Sequence, residues 1–135
     1  MKTKKTKATL TRGQVAESQH VSPQQVSRWE RLGCPSWRVG GRVVFEEEAV
    51  ARWRAARARA ALSRARPKIA RALAEMVRCT RSHEELFGLA KETAAQVARG
   101  SLGVTHARHL AALLVEARLR LQARGPRRLL VGVVT

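Results

Sequence analysis

Apolar positions recur three and four residues apart along most of this chain, interrupted once by two short β-prone runs around Gly40-Gly41. Helical spacing therefore predicts most of the fold. Thr11 can cap a short first helix that turns Val15 and Ala16 inward, with Leu10 just outside. His20 and Val21 form a turn. Ser22 then caps a second helix, Pro23 takes its first position and Gln25 completes an S-x-x-Q capping box. Val26, Trp29 and Leu32 follow at spacing three, which predicts one buried stripe. Gly33 ends the helix, where a positive φ is wanted.

The β-prone runs are Ser36-Trp37-Arg38-Val39 and Arg42-Val43-Val44-Phe45. A Gly-Gly pair between them predicts a two-stranded hairpin. Glu46, Glu47 and Glu48 open a third helix, where its dipole favours negative charge. That helix is expected over about 47–66. Ala49, Trp53, Ala56 and Ala60 share a narrow face; Arg52, Arg59 and Arg66 flank one side, and Arg54, Arg57 and Arg64 the other. Such a strip is a poor core. It suits phosphate, and it equally suits a solvated helix with only Val50 and Trp53 packed.

Pro67 breaks the helix and marks the expected domain boundary. A helix over about 68–79 carries Ile69, Leu73, Met76 and Val77. Ser82-His83-Glu84-Glu85 is a capping box that opens the next helix, which runs to Arg99 and stops at Gly100. Its apolar positions are Leu86, Phe87, Leu89, Ala90, Ala94 and Val97. The last helix, about 104–124, has a main stripe of Leu110, Leu113, Leu114, Ala117 and Leu121, with Val115 and Leu119 off it. These two helices form an antiparallel hairpin with spare apolar surface, so a partner helix or another subunit is expected. Gly125-Pro126 should end the last helix and leave an apolar tail over 127–135.

Composition sharpens the reading. Among 135 residues, 27 are Lys or Arg and 10 are Glu, with no Asp, for a net charge of +17. Residues 1–81 hold 19 bases and 6 acids; residues 82–135 hold 8 and 4. The first part attracts polyanions, nucleic acid first among them. The second reads as a packing or assembly part. Cys34 and Cys79 are far apart and imply no disulfide framework, which fits a reducing cytosol. MKTKKTK lacks a signal-peptide core, residues 1–9 read as a disordered basic tail, and no apolar run nears the roughly 20 residues of a membrane span. A cytoplasmic protein is expected.

In a helix-turn-helix the second helix faces base edges. The outward polar residues here are Gln24, Gln25, Ser27, Arg28 and Arg31, with Ser22 at the helix start. Gln suits adenine and Arg suits guanine in the major groove. Arg38 and Arg42 flank the hairpin tip and would grip backbone or minor groove. Arg12, Arg52 and Arg59 complete the expected DNA-binding set. Trp29 and Trp53 belong to the core by spacing, while Trp37 could stack on a base or pack. His106 and His109 lack the spacing of a zinc module, no phosphate loop or dinucleotide fingerprint is present, and a Ser/His/Asp set has no Asp to draw on, although Glu could substitute. No catalytic residue, metal or cofactor is expected.

Residues 11–53 resemble the winged helix of the MerR/excisionase-like group, most of all the DNA-binding domain of lambda-type phage terminase small subunits. Val21-Ser22-Pro23-Gln24-Gln25-Val26-Ser27-Arg28-Trp29, Gly33-Cys34-Pro35, Val39-Gly40-Gly41-Arg42, Val44-Phe45, Ala49-Val50 and Trp53 carry the likeness. The resemblance implies a mainly α protein. An N-terminal winged helix-turn-helix with an Arg-rich helix spans 10–66, and a helical oligomerisation or partner domain spans 67–126. It also implies binding of viral double-stranded DNA for packaging, self-association, and engagement of a terminase large subunit. An excisionase or transcriptional regulator shares the same pattern, and a protein that coats nucleic acid without sequence choice shares the charge.

Overall fold

The structure is a computed structural model that describes the backbone of residues 9–134 and the side chains of residues 9–124. The expected basic tail therefore lies outside the described residues except for Thr9, as do the side chains of the apolar tail. The protein is mainly helical with a small antiparallel sheet. It divides into two compact units, residues 1–54 and 55–135.

The first unit begins with strand β1 (Thr9–Leu10), followed by helix α1 (Arg12–Gln19) and helix α2 (Pro23–Leu32). Strands β2 (Trp37–Val39) and β3 (Arg42–Glu46) come next, then helix α3 (Glu47–Ser63), which starts in this unit and ends in the second. The sheet has three strands in the order β1-β3-β2 rather than the expected two. Thr9 pairs with Glu46 and Leu10 with Phe45, so Thr9 is strand and not tail. β3 has two edges; the hairpin closes only one, and the short segment before α1 takes the other.

Local signals set the ends of α1 and α2. Thr11 and Gln14 form a full capping box, with the Gln14 N–H donating to Thr11 Oγ1 at 3.3 Å and the Thr11 N–H donating to Gln14 Oε1 at 2.9 Å. At α2, Ser22 Oγ accepts from the Gln25 N–H at 3.2 Å, which is the hydroxyl half of the expected box. His20 and Gly33 close the two helices in the left-handed region, at φ 60° and 105°. Val15, Ala16, Val26, Trp29, Cys34, Phe45 and Val50 build the core. Leu32 does not join it and is 50% exposed. Three-residue steps drift backward around a helix by about 60° each, and two of them carry Leu32 from the buried side of Val26 to the outside.

α3 corrects the sequence reading most. Its buried stripe is Val50, Ala51, Ala55, Ala58 and Leu62, with Arg54 half-buried beside it, while Ala56 and Ala60 are exposed. Both stripes are alanine-rich, and only the packing partners distinguish them. Ala55, Ala58, Leu62 and Ala65 serve the core of the second unit, which is why the units divide inside α3 and not at Pro67. The helix ends at Ser63, short of residue 66. Arg64 and Ala65 N–H groups already take tighter three-residue bonds, and Arg71 Nη1 donates to the Ala65 and Arg66 carbonyls. Pro67 disfavours a helical residue before it.

The second unit continues with helix α4 (Lys68–Cys79), helix α5 (His83–Arg99) and helix α6 (Val104–Val134). α6 packs against both α4 and α5. α4 is thus the partner helix expected for the hairpin. Val115 is buried and Leu119 half-buried although both lie off the main stripe. Met76 and Phe87, read as inward, are exposed. Ser82 Oγ accepts from the Glu85 N–H at 3.1 Å, but the Glu85 carboxylate bypasses Ser82 for the Arg81 N–H at 2.8 Å and the Thr80 hydroxyl at 3.2 Å. α6 does not stop at Gly125-Pro126. A proline costs about 3 kcal/mol inside a helix, and the Arg- and Leu-rich flanks favour carrying the helix past it. Among the described residues no helix is long and apolar enough to cross a membrane.

Candidate nucleic-acid interface

Gln24, Arg28 and Arg31 are exposed and recur at i, i+4 and i+7, so they form one outward stripe along α2. Gln25 and Ser27 sit half-buried on either side of it. Ser22 is exposed, with its hydroxyl committed to the cap. Val26 and Trp29 anchor the opposite side of α2 in the core. The polar stripe thus has a rigid, well-capped helix behind it.

The hairpin stands between α2 and α3 in the chain. Its pairs are Trp37 with Val44, Arg38 with Val43 and Val39 with Arg42. Gly40 and Gly41 both have positive φ, 56° and 82°, as a two-residue turn of the primed kind requires. Arg38 Nη1 donates to the Gly41 carbonyl at 3.3 Å and braces the tip; Arg42 is exposed beside it. Val43 and Phe45 turn toward the core of this unit. Trp37 lies on the opposite face and is 44% exposed, so it is not a core residue. Trp29 and Trp53 pack together, with ring centroids 6.1 Å apart.

Three of the expected arginines have acidic partners. Arg12 Nε lies 2.6 Å from Glu30 Oε2, and its Nη2 donates to Glu30 Oε1 at 3.1 Å. This bidentate pair joins α1 to α2 and holds the Arg12 guanidinium above its ordinary pKa. Arg12 is therefore a brace between the two helices. Arg52 stands 3.9 Å from Glu48, one turn back on α3, and remains exposed. Arg59 stands 3.9 Å from Glu116 of α6 and belongs to the second unit, apart from the set gathered on the first.

Arg54 is the residue that sequence reasoning misplaced. It does not flank an outward strip with Arg57 and Arg64. Its guanidinium sits 5.2 Å over the Trp29 ring and hydrogen-bonds Gln19, and burial pulls its pKa down to about 10. The available signal was its position four residues after Val50, on the face that packs. Cys34 is also internal, and burial together with the Glu30 charge pushes its thiol up to about 11.

The exposed stripe of α2 and the hairpin tip offer guanidinium and amide hydrogen-bond donors. Guanidinium forks and amides suit phosphate oxygens and purine edges. Among the described residues no group of three or more metal-ligating side chains assembles. No protein-family model, no curated protein and no solved structure matches this chain.

Proposed function

We propose that residues 9–54 act as a winged helix-turn-helix that binds double-stranded DNA. α2 enters the major groove with Gln24, Arg28 and Arg31 toward the bases. The hairpin grips alongside through Arg38 and Arg42. The observation that carries this reading is the single exposed Gln24-Arg28-Arg31 stripe on a helix followed directly by an arginine-flanked, glycine-tipped hairpin. Exposed arginines of α3, Arg52 first, add sequence-independent attraction.

The wider role we propose is that of a terminase small subunit, a non-enzymatic protein that marks viral DNA for packaging while its helical unit engages a large subunit. An excisionase or regulator would use the first unit alike. The separate core of Ala55–Leu121 residues supports a job beyond groove binding. The net charge of +17 favours, as a second reading, a protein that coats nucleic acid without sequence choice.

Gel-shift titrations of the full chain on random and selected duplexes across salt test these readings. Under the first, Arg28→Ala costs roughly 1–3 kcal/mol on the selected duplex and little on random DNA. Arg42→Ala weakens both and lowers the salt slope by about 1. Equal affinity for all duplexes, with no effect of Arg28→Ala, leaves the coating reading. No binding at low salt removes both.

A further inference from the structure

The division of the chain inside α3 moves most of its net charge into the second unit. Residues 1–54 hold 11 bases and 5 acids, whereas residues 55–135 hold 16 and 5. Within the second unit the charge is uneven again. Residues 55–74 hold six bases and no acid. They form the second half of α3, the turn around Pro67 and the start of α4.

The turn gathers four of those bases at one corner. Ala65 is buried in the core, and Arg64 and Arg66 on either side of it are exposed. Lys68 opens α4 and is exposed. Arg71 is exposed and reaches back, its Nη1 donating to the Ala65 and Arg66 carbonyls, which sets its guanidinium against the backbone of the turn. Cations this close repel one another and oppose folding. Elsewhere in the unit the chain offsets such charge itself: Arg59 meets Glu116, and Arg78 meets Glu75. Among the described residues no carboxylate pairs with Arg64, Arg66 or Lys68. What the corner lacks is an anion, and a polyanion supplies a row of them.

The surroundings select which polyanion. A basic surface that lies on a lipid headgroup layer needs apolar side chains beside its charges. No large hydrophobic residue among 55–74 is exposed, and the nearest in the chain that is, Met76, stands about two turns of α4 past Lys68. Phosphodiester oxygens match guanidinium forks, and the corner presents two of them with a lysine. Residues 55–74 include no Asn or Gln, so the corner suits backbone rather than base edges.

We propose that the α3–α4 corner of the second unit is a further DNA-binding surface, on which Arg64, Arg66 and Lys68 hold the phosphate backbone of duplex DNA without regard to sequence. Arg71 is a positioning residue that pins the turn. The corner belongs to a different unit from α2 and the hairpin. It rests on its own charge, whether or not the first unit reads a groove.

Binding of the full chain to a random duplex across salt tests it. Arg64→Gln, Arg66→Gln and Lys68→Gln together should lower the slope of log affinity against log salt by about 2–3, close to one unit for each phosphate lost. Lys91→Gln, Arg99→Gln and Arg108→Gln remove the same charge from exposed positions of α5 and α6, and should lower it by less than about 1. Arg28→Ala with Arg42→Ala should leave random-duplex binding in place until the corner changes are added. Circular dichroism of each variant checks that these surface changes leave the fold intact. Equal losses in the two triple variants overturn the proposal, since net charge alone would then be at work. So does random-duplex binding that vanishes with Arg28→Ala and Arg42→Ala alone, or a chain that binds anionic phospholipid vesicles and no duplex. A corner effect without preference for any duplex keeps this inference and removes the groove reading.

Discussion

Arg54 and Gln19 hold the third helix to the end of the first: Arg54 Nη1 donates to Gln19 Oε1 at 3.0 Å and to the Gln19 carbonyl at 3.2 Å. Gln19 is buried, and its Nε2 has no hydrogen-bond partner among the described residues. The pair is thus an internal strut whose polar groups depend on each other. Stacking on Trp29 lets the guanidinium stay charged there despite the burial that lowers its pKa.

Removing that strut should be expensive. Arg54→Met leaves both Gln19 acceptors unpaired and should destabilise the protein by about 2–3 kcal/mol in urea unfolding. Arg54→Lys should recover less than half, because one ammonium cannot span two acceptors and also stack.

The Arg12–Glu30 bridge should matter less. Its side chains are 42% and 22% exposed, so solvent screens the attraction. A double-mutant cycle with Arg12→Ala and Glu30→Ala should give a coupling of about 0.5–1 kcal/mol that shrinks at high salt. A coupling near zero at low salt would show that the brace is geometric in form only, without energetic weight.

Cys34 and Cys79 should differ sharply toward a thiol reagent. Cys79 is exposed and should react within the mixing time of a slow assay at pH 8, while Cys34 should react only as fast as the first unit opens. The Cys34 thiol is raised from 9.0 to about 11 in the folded protein. The folded state therefore holds its proton more tightly, and stability from this group is full below pH 9 and declines as pH rises through 11. Cys34→Ala should flatten that alkaline decline in chemical unfolding measured between those limits.

Leu32 and Phe45 provide a direct check on the packing. Leu32→Gln should change stability by less than about 0.5 kcal/mol, whereas Phe45→Ala should cost about 3–5 kcal/mol. Gly41→Val should cost more than Gly41→Ala, since a β-branched residue tolerates a φ of 82° worst, and both should loosen the hairpin. Thermal unfolding of the four variants ranks them.

Capping residues, turn glycines and helical spacing were enough to place every helix start and the hairpin turn, because those signals act within a few residues of one another. They also identified Gln24, Arg28 and Arg31 as outward, since one face of α2 had to carry Val26 and Trp29. Sequence could not tell which of the two alanine stripes on α3 packs, because alanine suits a core and a surface equally and only the presence of α4 and α6 decides. It could not separate Arg12 and Arg54 from the other arginines either. A guanidinium looks the same in sequence whether it meets Glu30, a buried Gln19 or solvent, and that choice belongs to residues brought together from distant parts of the chain.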